Sequence, residues 1–262
     1  MEDNTQFVEI AKQIVASAEE QGLTLRILGA TAFRIHCPEY IAIHQAMARS
    51  MSDLDFVAYG KEDRKIEAFF SERGYMLVKA ALTPELFASR RIFEQAQEHL
   101  HVDVFLDDLN MCHKIPFRNR LQTDSPTIPL AELVLEKTQI VRLNEKDIKD
   151  LLILLAAHPV GDRDIETING AYIAELLSKD WGFYYTTVTN LDKVQAGLER
   201  YEQLFSAEDV SNIGKRISQL RNMIEQAPKG LKWKARAAIG TRVQWYNDVD
   251  EAERAEFLND IG

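Results

Sequence analysis

The sequence predicts an α+β protein, α/β in its first half: a mixed sheet flanked by helices, followed by a helical bundle domain. Three observations carry this. Up to about Leu109, short strand-like apolar runs alternate with helical stretches. Between Asn110 and Pro129 the composition turns polar, and Pro116, Pro126 and Pro129 break regular structure. From Leu130 onward almost every segment repeats its apolar residues at helical spacing. The expected division is residues 1–125 for an α/β domain and 126–262 for a helical domain, with Asn110 to Pro129 as the connection.

The first element is a helix within Asn4 to Gln21, because Phe7, Ile10, Ala11, Ile14, Val15 and Ala18 fall on one stripe. Gly22 ends it. Strands follow over Thr24–Leu28 and Leu54–Tyr59. A helix over about Glu62–Arg73 carries Ile66, Phe69 and Phe70 on one side and stops at Gly74. Three more strands are expected over Tyr75–Lys79, Arg91–Gln95 and His101–Leu106. In the second half the helical runs are LAELVLEKTQIV, EKDIKDLLILLAAH, the long stretch GAYIAELL through YEQLF, and VSNIGKRISQLRNMIEQA. No fixed-period repeat and no low-complexity segment interrupts them.

Composition narrows the function classes. The 262 residues are 46% hydrophobic, enough for a well-packed core, and no apolar run reaches the length of a membrane span. The opening MEDNTQFVEI is acidic, unlike a signal or transit peptide, so a cytoplasmic protein is expected. Cys37 and Cys112 are too few for a disulfide framework and fit free thiols in a reducing compartment. A formal charge of -10 argues against broad nucleic-acid binding while leaving room for a local basic site.

The chemistry concentrates in MSDLDF, Met51 to Phe56. If that segment is extended, Asp53 and Asp55 share one face while Leu54 points to the other. Two anions on one face repel unless they are solvated or share a cation. Asp103, on an alternating strand with His101 and Phe105, adds a third carboxylate, and three carboxylates on neighbouring strands suit magnesium. Upstream, LTLRIL is followed by Gly29-Ala30-Thr31, where glycine permits a tight turn and a helix start offers unpaired N–H groups to phosphate.

The ordered set Gly29-Ala30-Thr31-Ala32, then Arg49-Ser50-Met51-Ser52-Asp53-Leu54-Asp55-Phe56, then Asp103 resembles the nucleotidyltransferase superfamily related to DNA polymerase beta. It is most similar to the branch of AbiEii-type toxins and related bacterial nucleotidyltransferases. Arg49 stands four residues before the first acid, the family's usual offset, and Glu136-Lys137 followed by Lys146-Asp147-Ile148-Lys149-Asp150 is similar to later family segments. The resemblance spans roughly Leu25 to Leu155 and implies a nucleotidyltransferase-like sheet. It also implies an enzyme that moves a nucleoside monophosphate from an NTP to a hydroxyl acceptor (RNA, protein or small molecule). Asp53, Asp55 and Asp103 would be the catalytic and metal residues for Mg²⁺ or Mn²⁺. Gly29, Ala30, Thr31, Arg49, Ser52 and Lys137 would bind the nucleotide.

Other readings stand beside this one. Ala30 replaces the usual second glycine or serine of the phosphate-binding turn, which favours a noncatalytic, nucleotidyltransferase-like binding or regulatory protein. On its own amphipathic segment Lys137 reads as a solvated lysine, and Asp147 and Asp150 as helical charges that orient the second domain. His99, His101, Cys112 and His113 lack the spacing of a zinc motif, and His101 is expected to tune Asp103. No P-loop or G-x-S-x-G element occurs. The stretch KGLKWKARAAIGTRVQWY carries Lys229, Lys232, Lys234, Arg236 and Arg242 among aromatics; it reads as bundle packing first and as an acceptor grip second.

Overall fold

The structure, a computed structural model, describes residues 5–47, 53–78, 89–95 and 100–248. Helix α1 (Thr5–Glu20) buries Ala11, Ile14, Val15 and Ala18, as its stripe requires, and ends before Gly22 at φ +70°. The five-stranded sheet is built from β1 (Leu25–Leu28), β2 (Asp53–Ala58), β3 (Met76–Leu77), β4 (Arg90–Gln95) and β5 (Leu100–Leu106). Their spatial order is β1-β2-β5-β4-β3. Only β2 and β5 run parallel; the other pairs are antiparallel. A parallel pair needs a long crossover between its strands, and here α4 (Asp63–Ser71) and the β3–β4 pair lie in it. On α4, Ile66, Phe69 and Phe70 are buried, and Phe70 stacks on Phe93 of β4 with ring centroids 4.6 Å apart.

Two short helices lie between β1 and β2 among the described residues: α2 (Gly29–His36), which starts directly at the end of β1, and α3 (Ile41–Ala46). The second half comprises α5 (Leu130–Thr138), α6 (Glu145–Ala157), α7 (Gly170–Leu177), α8 (Trp181–Tyr201), α9 (Ala207–Gln226) and α10 (Leu231–Ile239). Side-chain caps set where four of them start. Asn144, Asn169 and Asp180 each accept the N3 amide, and Ser206 with Asp209 forms a reciprocal capping box. The cap at Asp180 explains why GAYIAELL through YEQLF, helical throughout by periodicity, is two helices rather than one.

Helix α5 is buried at every position, Leu130 to Thr138. A helix surrounded on all sides sits inside the packing rather than on it. One continuous apolar cluster accordingly joins Phe33 and Leu54 to Leu133, Leu151 and Ile213. The turn-rich connection holds structure that its composition hides: β6 (Asp108–Asn110) and β7 (Lys114–Pro116) form a small hairpin. A two-stranded parallel pair, β8 (Val160–Gly161) and β9 (Ile168–Asn169), likewise lies within the helical half. Strands of two or three residues carry too few side chains to display a period. No helix among the described residues is long and apolar enough to cross a membrane.

Candidate active site

The sheet brings the three predicted acids together. Parallel pairing of β2 with β5 sets Asp55 opposite Asp103 and Asp53 opposite His101. Cross-strand partners share a face, so all three carboxylates project from the same side. One ligand oxygen from each lies within 4.8 Å of the others, the only converging group of three or more His, Cys, Asp or Glu among the described residues. Asp103 is buried; Asp53 and Asp55 are half-buried. Hard carboxylate oxygens at this spacing fit Mg²⁺ or Mn²⁺ in donor chemistry, and their summed charge favours a divalent cation.

Gly29 closes one flank of this cluster. Leu28 pairs with Asp55, so the chain turns from β1 into α2 directly beside that carboxylate. Gly29 adopts φ +68°, and a Cβ placed on it would stand 2.3 Å from Asp55 Oδ2. Only glycine allows both the left-handed backbone and this approach. The amide of Gly29 donates to Glu136 Oε2 at 3.0 Å, so α5 reaches the start of α2. Of the three residues of the turn, Gly29 and Thr31 are buried and Ala30 reaches solvent.

The opposite flank is formed by β4. Arg90 grips both oxygens of Asp103: Nε donates to Oδ1 at 3.1 Å, and Nη2 makes a second, short contact with Oδ2. Its guanidinium also sits 5.1 Å from the centroid of Phe105, its register partner on β5. Glu94, two turns of the pleat further along β4, lies 3.6 Å from His101 Nδ1. His101 therefore stands between Asp53 on β2 and Glu94 on β4, on the same sheet face as Asp103 two residues along, as strand alternation predicts.

Lys137 is not the solvated residue that its own segment suggests. It is buried, with Nζ 3.1 Å from Glu136 Oε1, 3.5 Å from Asp147 Oδ1 and 3.6 Å from Asp150 Oδ2. Asp150 is fully buried, so this charge group ties α5 to α6 inside the protein. Through Glu136 it is continuous with Gly29. Arg49 and Ser52 lie outside the described residues, as does His99.

Sequence reasoning missed Arg90 and the contact of Glu136 with Gly29. Arg90 follows no motif; it meets Asp103 only because β4 and β5 pair in the register that sets Ile92 against Asp103. The other sequence candidates are packed. His113 bonds Thr186 Oγ1 at 2.8 Å and stacks on Phe183, with no cluster of metal ligands around it among the described residues. Trp233 donates to the Leu177 carbonyl and Trp245 to Thr186 Oγ1, while Arg236 bonds the Gly240 and Val243 carbonyls and covers the Trp181 ring. The basic-aromatic stretch thus holds α10 against α8, leaving Lys232 and Lys234 exposed.

No family model matches the chain, and no curated protein matches it. Among solved structures it is similar to the solution structure of the antibiotic-resistance factor ANT(2'')-Ia. That likeness has 13% sequence identity and a TM-score of 0.42, over 67% of this chain and 96% of that chain. With identity and score that low, the geometry of the acidic site carries the functional reading.

Proposed function

We propose that the protein is a metal-dependent nucleotidyltransferase that moves a nucleoside monophosphate from an NTP to a hydroxyl acceptor and releases pyrophosphate. The observation that carries this reading is the convergence of Asp53, Asp55 and Asp103 within 4.8 Å, beside a helix start whose glycine abuts Asp55. Mg²⁺ or Mn²⁺ bound there would neutralise the phosphate charge and favour the alkoxide form of the acceptor. Asp53 and Asp55 would hold the cation that neutralises the phosphate charge. Asp103 completes the set and takes the proton of the acceptor hydroxyl.

The acceptor oxygen bonds the α-phosphorus, the bond from that phosphorus to the α–β bridging oxygen breaks, and its electrons leave with pyrophosphate. With the amide of Gly29 engaged by Glu136, the amides of Ala30 and Thr31 at the start of α2 are the donors for the β and γ phosphates. Arg49, Ser52 and Lys137 belong to the nucleotide-binding set on the resemblance alone, Lys137 being paired with Glu136, Asp147 and Asp150. The leaving pyrophosphate then sits on the β1 flank and the acceptor enters from the β4 flank, as an in-line displacement requires. The AbiEii-type branch, a bacterial source, a cytoplasmic setting and an RNA, protein or small-molecule acceptor belong to this same reading.

One observation favours a second reading, a noncatalytic binding or regulatory protein of the same kind. Two groups that the resemblance assigns to nucleotide and metal, the Gly29 amide and Asp103, are already engaged by Glu136 and Arg90. Incubating the purified protein with each labelled NTP, Mg²⁺ or Mn²⁺ and cell extract distinguishes the two. Labelled product and pyrophosphate that vanish in Asp53→Asn and Asp103→Asn establish transfer. Metal-dependent NTP binding without product establishes the second reading, and neither binding nor product overturns both.

A further inference from the structure

We propose that Arg90 is a built-in cation that competes with a divalent metal for Asp103, so that the acceptor flank of the site opens only when Arg90 lets go. The proposal rests on the metal-site reading above. Asp103 presents both carboxylate oxygens to Arg90 in a forked pair, and one of its oxygens belongs to the cluster formed with Asp53 and Asp55. A cation among the three acids would therefore share Asp103 with a guanidinium a few ångströms away.

Like charges at that separation repel, and the half-buried setting screens them less than bulk water does. The same pair has the opposite effect when no metal is bound. Three converging carboxylates repel one another, and Arg90 neutralises the most buried of them. Phe105 offers the guanidinium an aromatic face beside the cluster, so Arg90 has a resting place that does not depend on Asp103 alone. Helix α2 and Gly29 close the other flank, which leaves the β4 side, where Arg90 stands, for the acceptor. Release of Asp103 and access of the acceptor are then one event.

The test is a calorimetric Mn²⁺ titration of the full chain without nucleotide. Wild type is compared with Arg90→Ala, Arg90→Gln, Arg90→Lys and Asp53→Asn. Competition predicts Mn²⁺ binding roughly tenfold tighter or better in Arg90→Ala and Arg90→Gln. Arg90→Lys, which keeps the charge, stays near wild type, and Asp53→Asn binds weakly. Arg90→Ala also gains more thermal stability from Mn²⁺ than wild type does. Unchanged or weaker Mn²⁺ binding in folded Arg90→Gln overturns it and leaves Arg90 as a residue that only positions Asp103. Absence of Mn²⁺ binding in wild type and in every Arg90 variant overturns the metal-site reading itself, a separate result.

Discussion

Replacing Gly29 by alanine separates the two demands placed on that residue. Gly22 and Gly29 share nearly the same backbone, φ +70° and +68°, but a Cβ at Gly22 meets nothing within 4 Å while one at Gly29 meets Asp55 Oδ2 at 2.3 Å and its Cγ at 3.1 Å. A left-handed alanine costs about 1–2 kcal/mol, so Gly22→Ala should lose that much stability. Gly29→Ala should lose about 1–3 kcal/mol more, because an overpacked buried site must displace its neighbour. That neighbour is Asp55, so Mn²⁺ affinity should fall in Gly29→Ala and hold in Gly22→Ala. Urea unfolding gives the stabilities and calorimetry the affinities. In the Asp55→Ala background the extra loss at Gly29 should shrink, a coupling that a double-mutant cycle reads directly. Equal destabilisation of the two alanine variants, or full Mn²⁺ affinity in Gly29→Ala, would refute the claim that Gly29 exists to admit Asp55.

Two further outcomes follow from buried charge. His36 and His113 are both pulled down to about 4, chiefly by burial and, for His36, by the neighbouring His158. The unfolded chain takes up those protons near pH 6.5 and the native chain does not, so each histidine contributes up to about 3 kcal/mol that is fully present above that pH and lost as pH falls toward 4. Urea midpoints should drop across that window and drop less in His36→Asn; a flat midpoint contradicts this. Lys137→Met should cost about 3–5 kcal/mol without any ligand present, because it leaves the buried acids of α5 and α6 without their ammonium. A loss under about 1 kcal/mol in urea unfolding would show that the group is solvated after all.

Several features were legible from the sequence because they depend on local period. The stripe of α1 and the stop at Gly22 follow from helical spacing, and the shared face of Asp53 and Asp55 follows from strand alternation. The cap at Asp180 was readable in principle, yet the apolar periodicity on both sides concealed the break. The hairpin of β6 and β7 was concealed differently. Pro116 ends its second strand, and six residues cannot display alternation against a turn-rich background.

The reach of Asp103 to the pair lay beyond any local pattern. It depends on β2 and β5 lying side by side in one register, with an interval of more than forty residues between them. Arg90 and Lys137 make the same point. An arginine just ahead of an expected strand and a lysine on an amphipathic segment carry no local sign of a buried partner. Packing decides otherwise, by pairing β4 with β5 and by enclosing α5 on every side.

The sequence by itself determined the long helices and the main sheet strands, though not the two- and three-residue strands or the break at Asp180, and it determined that two carboxylates share a strand face. Hydrophobic period and backbone sterics act over a few residues and are written in the chain's own spacing. Only the tertiary structure decided that a third carboxylate joins them, that a glycine admits one of them and that an arginine holds another. Those contacts join segments far apart along the chain, and strand register and helix burial, which no single segment specifies, set their distances.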